Sequence, residues 1–374
     1  MYRLIYILPI VVIGVAYLIV GVEQFWFVYL IMLVITELLV WWAMYRALRV
    51  AEYLSGYAQD AVHHEAWTER VVRHETYTDS RGNIKHRTVV DYVYHPDEWF
   101  INLNTGECVD ISEEGYLSIV NLWGGDQEWI DVPHCNCVSG GGGQAAYYDN
   151  IYNHLVTATY KGLYINYVRG SNSIFRVDPL SRREASRLGL IPYPPFDEYD
   201  LDVDAILISP KLAGVQIDDS WQKHIQRINA YYGAEAEIHI FILLFDAADG
   251  ISIALKQRQF WHGGNKNELV VCLGIEPSTD VDTPHEVAWC KAFSWCDAPQ
   301  LDNATESYFI EHRSLDIGAY AAWLRMNISL WRRKEFSDFK YIGKRISPRR
   351  AIMVSIFTLL VSAVMVLIMT FMPR

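Results

Sequence analysis

"EIHIFILLF", residues 237–245, is the stretch on which the fold turns. From Ile240 to Phe245 every residue is apolar with no polar alternation, which describes a strand covered on both faces. Such a strand lies inside a sheet with helices above and below, and the flanks supply them. Upstream, Asp219 or Ser220 can cap a helix running to about Tyr232, with Ile225 and Ile228 as its buried stripe and Gly233 as its stop. "AILIS" (205–209) precedes that helix as a short apolar strand. Downstream come a helix over about 250–261, the strand "ELVVCLGI" (268–275) and the strand "EVAWCKAFSW" (286–295). This alternation predicts an α/β sandwich over 191–312, opened by the proline-broken "IPYPPFDEYD" (191–200).

Residues 51–190 read as a β-rich region instead. In "WTERVVRHETYTDSRGNIKHRTVVDYVY" (67–94), polar residues alternate with β-branched and aromatic ones on both sides of Asp79–Asn83. That pattern predicts an antiparallel hairpin with strands near 67–78 and 84–94. "HLVTATYKGLYINYVRG" (154–170) supplies one or two more strands, and the four glycines at 140–143 form a loop. Residues 46–62, rich in Ala, Leu, Glu and Tyr, are expected to prolong a preceding helix.

That helix belongs to one of three long apolar runs at the chain ends. Two of them, about 4–21 and 25–45, predict a transmembrane hairpin within residues 1–50. The third, 351–371, predicts a C-terminal transmembrane helix within 346–374, reached through an amphipathic helix and linker over 313–345. The fold class expected is therefore an α+β membrane protein with three spans. Arg3, Arg46, Arg49, Lys344, Arg345, Arg349 and Arg350 flank these runs, and such charges stay on the inner side. They predict a multi-pass protein of the bacterial inner membrane, partnered by the lipid bilayer, with its central region cytoplasmic and 62–312 able to fold alone.

Net charge is −12 and no broad basic face is visible, so a nucleic-acid partner is excluded. The six cysteines fit free thiols in a reducing compartment. "GGNKNELVVCLG" (263–274) has the look of a phosphate-gripping loop, but Gly263, Gly264 and Lys266 follow a helix and precede a strand, the reverse of the nucleotide-binding order. Gly263 or Gly264 reads as a left-handed helix cap, with Asn265, Lys266 and Asn267 as loop candidates for a ligand. Asp200, Asp202 and Asp204, with Asp218, Asp219 and Asp246, are oxygen-rich enough for Ca or Mg. Ala205 and Lys211 exclude an EF-hand, and a solvated acidic edge is the alternative; no other cofactor is implied. Glu37 stands inside an apolar run, where an acidic side chain is costly. It reads as a packing device or as part of an ion path.

The order helix 220–232, Gly233-Ala234, strand 237–245, helix 250–261 and "GGNKNELVVCLGI" resembles the TPM domain family. Where that family carries Asp-Asn-Gly before its strand, this chain has Asn267-Glu268. The resemblance implies an α/β domain tethered to a membrane, with divalent-metal binding or phosphatase activity. "NYVRGSNSIF" (166–175) and the 263–274 segment are also similar to segments of uncharacterised membrane proteins of bacteria and phages. Three functions stay open at this point: a non-catalytic interaction or assembly module that binds a protein or itself, a TPM-like metal-dependent phosphohydrolase, and a membrane channel or effector acting through Glu37.

Overall fold

The structure is a computed structural model and describes residues 11, 15, 26–47, 49–78, 82–124, 128–131, 137–140, 142–147, 154–165, 180–195, 199–201, 203–261, 264–276, 285–296, 298–332 and 348–371. Helix α1 (Trp26–Ala47) is followed almost at once by β1 (Arg49–His64). The helix expected over 46–62 is thus a strand. Its Val, Tyr and Leu residues suit either state, and tertiary pairing on both edges selects the strand. The hairpin of β2 (Trp67–Thr78) and β3 (Ile84–His95) turns through residues that include Gly82 at φ 82°, a left-handed conformation that glycine adopts without cost.

Next in order are β4 (Glu98–Leu103), β5 (Cys108–Asp110), α2 (Glu113–Trp123), β6 (Glu128–Asp131), β7 (Cys137–Gly140), β8 (Gly143–Tyr147), β9 (Thr157–Ile165), α3 (Arg182–Leu188) and β10 (Tyr199–Leu201). β1 organises this half. Its residues 49–57 pair antiparallel with β9, while 58–64 pair with β4 on one edge and 60–64 with β8 on the other. A core of Ala61, Ile101, Leu103, Trp123 and Ala158 lies on this sheet, closed by α2. β2 and β3 form a separate sheet with β7, in the order β3-β2-β7.

The second half holds β11 (Ile206–Ile208), α4 (Asp219–Tyr232), β12 (His239–Asp246), α5 (Ser252–Phe260), β13 (Glu268–Glu276), β14 (Glu286–Ser294), α6 (Pro299–His312) and α7 (Ile317–Asn327). β11, β12 and β13 run parallel, and β14 closes the sheet antiparallel. One face (Ile240, Ile242, Leu244, Val271, Leu273) packs on α4, α6 and α7; the other (Phe241, Leu243, Phe245, Val270, Cys272) packs on α3 and α5. Alternate residues of one all-apolar strand thus serve two cores, which explains why 240–245 shows no polar alternation. β12 begins at His239 because Glu237 is left-handed, at φ 48°.

The last helix is α8 (Pro348–Phe371), which packs against α1. Among the described residues, no helix is long and apolar enough to cross a membrane. The run 4–21 lies outside the described residues except at positions 11 and 15. The expected three-span membrane fold, with its transmembrane hairpin and C-terminal span, is corrected on this ground, as is the multi-pass inner-membrane location. The independent fragment 62–312 is corrected too. Its limits would remove most of β1 and all of α7, whose Ile317, Tyr320 and Leu324 are core residues.

Candidate functional site

The loop singled out in the sequence does become a focus of polar groups, although not an open one. Asn265 is 3% exposed, and Lys266, Asn267 and Glu268 are 0% exposed. The loop sits at the amino ends of β12 and β13, beneath β1. Ligands of open α/β sheets bind outside the carboxyl ends, so this is the opposite pole. Each neighbour that seals it has a local reason to be there. Gln257 on α5 exchanges two hydrogen bonds with the Ile191 backbone (2.8 and 3.0 Å), and the Trp261 indole N–H donates to the same carbonyl at 2.8 Å. Together they hold the 190–193 segment so that Tyr193 reaches the loop. Of the two glycines expected to cap the helix, Gly264 is not left-handed, and Gly263 lies outside the described residues. Gly264 is needed because a Cβ there would lie 2.1 Å from Trp295 Nε1 and 2.8 Å from Glu268 Oε2.

Glu268 accepts three hydrogen bonds: from the Tyr193 hydroxyl, from Asn265 Nδ2 at 2.8 Å and from the Asn265 backbone N–H at 3.0 Å. The Trp295 indole N–H faces the same carboxyl without closing a bond of normal geometry. Burial outweighs these donors and raises the Glu268 carboxyl to about 7. The Tyr193 hydroxyl is pushed well up, by burial first and then by the neighbouring Glu268.

A second polar line joins this pole to the first half of the chain. Asn267 Nδ2 donates to the Tyr53 carbonyl of β1, and the Asn267 carbonyl accepts from the His239 N–H at 2.7 Å. The His239 ring lies 3.3 Å from Ser55 Oγ, which in turn lies 2.9 Å from Thr159 Oγ1 on β9. Burial lowers His239 to about 4, so it is neutral at ordinary pH. Gly233 stops α4 as expected, in a right-handed conformation with φ −56°. A side chain there would meet the Ser55 backbone at 3.0 Å, so the glycine serves close approach. The loop, β12 and α4 therefore clamp β1 through hydrogen bonds and steric fit.

The other sequence candidates lie apart. Asp204 and Asp219 line a surface cleft of about 310 Å³, where Lys223 and Arg227 also stand, an unfavourable setting for a metal cation. Asp218 caps α4 through Ser220 N–H (2.7 Å), and Asp246 caps the turn after β12 through Ala248 N–H (2.9 Å). β12 separates Asp246 from the Asp204 end by about 20 Å at ~3.3 Å per residue. Asp200 lies on β10, while Asp202 and Gly263 fall outside the described residues, as does the Glu37 side chain. Among the described residues no group of three His, Cys, Asp or Glu is placed to hold a metal.

The sequence reading missed Glu268, Tyr193, His239, Ser55 and Asn229, the last of which bonds both polar groups of the Ile240 backbone (2.8 and 3.1 Å). A polar residue at the first position of an otherwise apolar strand was the signal available for Glu268 and His239. Comparison with protein families, characterised proteins and solved structures finds no match to this chain.

Proposed function

We propose that this chain is an interaction and assembly protein whose working surface is the β2–β3 arm. The single observation that carries this reading is the outer edge of β3. Among the described residues β3 is hydrogen-bonded on one side only, by β2, and from Arg70 to Thr78 β2 pairs with β3 alone. Twelve residues per strand make an arm of about 40 Å. Proteins that must avoid association shield such edges with proline, a bulge or charged side chains, lysine above all; β3 carries Lys85, while its Arg87 and Asp91 are already paired to β2. β3 has no proline, and its register against β2 runs unbroken from Ile84 to His95.

The arm also exposes large apolar groups. Ile84 is 69% exposed, Tyr92 64% and Tyr94 67%. Tyrosines of this kind are the side chains that anchor protein interfaces. Cross-strand contacts keep the arm in shape: the exposed Arg87 donates twice to Glu75 (2.7 and 2.9 Å), and at the base the half-buried Trp67 stacks on His95 at 4.2 Å. The sealed pole around Glu268, by contrast, supports a role in joining the two halves.

A photo-reactive phenylalanine at position 92 of the full chain tests the reading in the cells that make it, with the exposed α5 position 255 as the control. The expected result is a protein adduct from position 92 and none from 255. Equal yields from the two positions, or none from 92, would overturn it.

A further inference from the structure

We infer that the outer edge of β3 takes the β3 edge of a second copy of this chain, antiparallel and centred on Val89. The inference deepens the assembly reading and rests on it. A two-fold axis that joins two identical strands antiparallel must stand perpendicular to the sheet. Residues facing each other across the seam then come from the same face of the arm, so the two residue numbers sum to an even value. Only registers centred on a residue of β3 satisfy this.

Centred on Val89, every residue from 84 to 94 finds a partner. Arg87 falls opposite Asp91 of the second copy, and by symmetry the pair occurs twice. Arg87 is already held by Glu75, and Asp91 by Arg73 at 3.4 Å, so each cation and anion arrives with its orientation set. The seam then extends two existing ion pairs into alternating rows of charge across the joined sheet. On the other face Ile84 meets Tyr94, His86 meets Tyr92 and Thr88 meets Val90. These pairs cover the three most exposed apolar side chains of the arm. Centring on Thr88 leaves Arg87 facing Val89 and Tyr94 without a partner within the strand. Centring on Val90 sets Lys85 against His95 and Arg87 against Val93. The Val89 register alone combines full overlap with two matched charge pairs and no like charges opposed.

The test is the association of full-length Arg87→Asp and Asp91→Arg variants, measured by sedimentation. Wild type is expected to dimerise. Each single variant opposes like charges twice across the seam and should dimerise about tenfold or more less tightly. An equimolar mixture of the two variants should recover wild-type affinity. In the mixed pair, the first variant carries acids at positions 87 and 91, and these face the arginines that the second carries at 91 and 87. A fold defect in either variant would not be cured by mixing, so recovery also excludes that cause. A monomeric wild type, or single variants that associate as wild type does, would overturn the homotypic seam. So would a mixture that stays weak. Failure here with a position-92 adduct to a different protein leaves the assembly reading standing; no adduct at all removes both.

Discussion

The Glu268 pole and the β2–β3 arm use similar residue types in opposite ways. At the pole, Tyr193, Asn265, Asn267 and Glu268 are shut in, and apart from Asn267 Oδ1 their polar groups answer one another or the backbone of β1. On the arm, most side chains from Arg70 to Thr78 and from Ile84 to Tyr94 are exposed, and their contacts run across the two strands. A buried polar group is costly unless it is satisfied, so the pole fixes one geometry and tolerates little change. The exposed arm costs little to alter, which makes it the surface free to serve association. Stability should therefore follow substitutions at the pole, and association should follow substitutions on the arm.

The largest effect is expected from Gly264→Ala, because its Cβ would overlap the Trp295 indole and the Glu268 carboxyl. Overpacking of this kind should cost about 3 kcal/mol, read as a lowered denaturation midpoint. An unchanged midpoint would mean that the pole is looser than described. Next comes the pH dependence. The folded chain keeps Glu268 protonated up to about 7, while the unfolded chain releases that proton near 4.5. The contribution of this group to stability is thus fully present below about pH 4.5, is lost as pH rises to about 7, and stays lost above it. His239 acts in the opposite sense: its folded value is about 4 against 6.5 unfolded, so its contribution is lost as pH falls through that window. Glu268→Gln removes the first slope and leaves the second. Relative to wild type, the variant should gain about 3 kcal/mol between pH 4.5 and pH 8 in denaturant titrations. A constant difference across that range would contradict a buried neutral carboxyl.

A smaller loss is expected from Tyr193→Phe, which takes one donor from Glu268 and one acceptor from Asn265. About 2 kcal/mol should be lost, with association unaffected. The smallest change in stability should come from Tyr92→Ser with Tyr94→Ser, within about 0.5 kcal/mol of wild type by melting. The same pair should abolish association, and a stable double variant that still associates would break the contrast.

The parts of the fold legible in sequence were those that obey local rules. Alternation on both sides of Asp79–Asn83 placed the hairpin, and the all-apolar run at 240–245 placed the doubly covered strand. Ser181-Arg-Arg-Glu184 with Gly189, and Ser112-Glu-Glu with Gly124, carried cap signals for α3 and α2 that went unused. β1 was not legible in that way. Its composition permits a helix, and the strand depends on pairing with β4, β8 and β9, all distant in sequence. The pole was half legible: the 264–267 loop stood out as glycine and polar residues between apolar elements. Its burial depends on Tyr193 and β1, which no local pattern links to it. The acidic candidates show the same in reverse, since nearness in sequence at 200–219 does not bring them to Asp246 at the far end of β12.

Hydrogen exchange on the full chain, at high and at low protein concentration, tests the contrast most directly. Amides of residues 84–94 should exchange more slowly at high concentration and lose that protection on dilution, while 264–268 stays protected throughout. Equal exchange of 84–94 at both concentrations, or protection of 264–268 that falls on dilution, would contradict it.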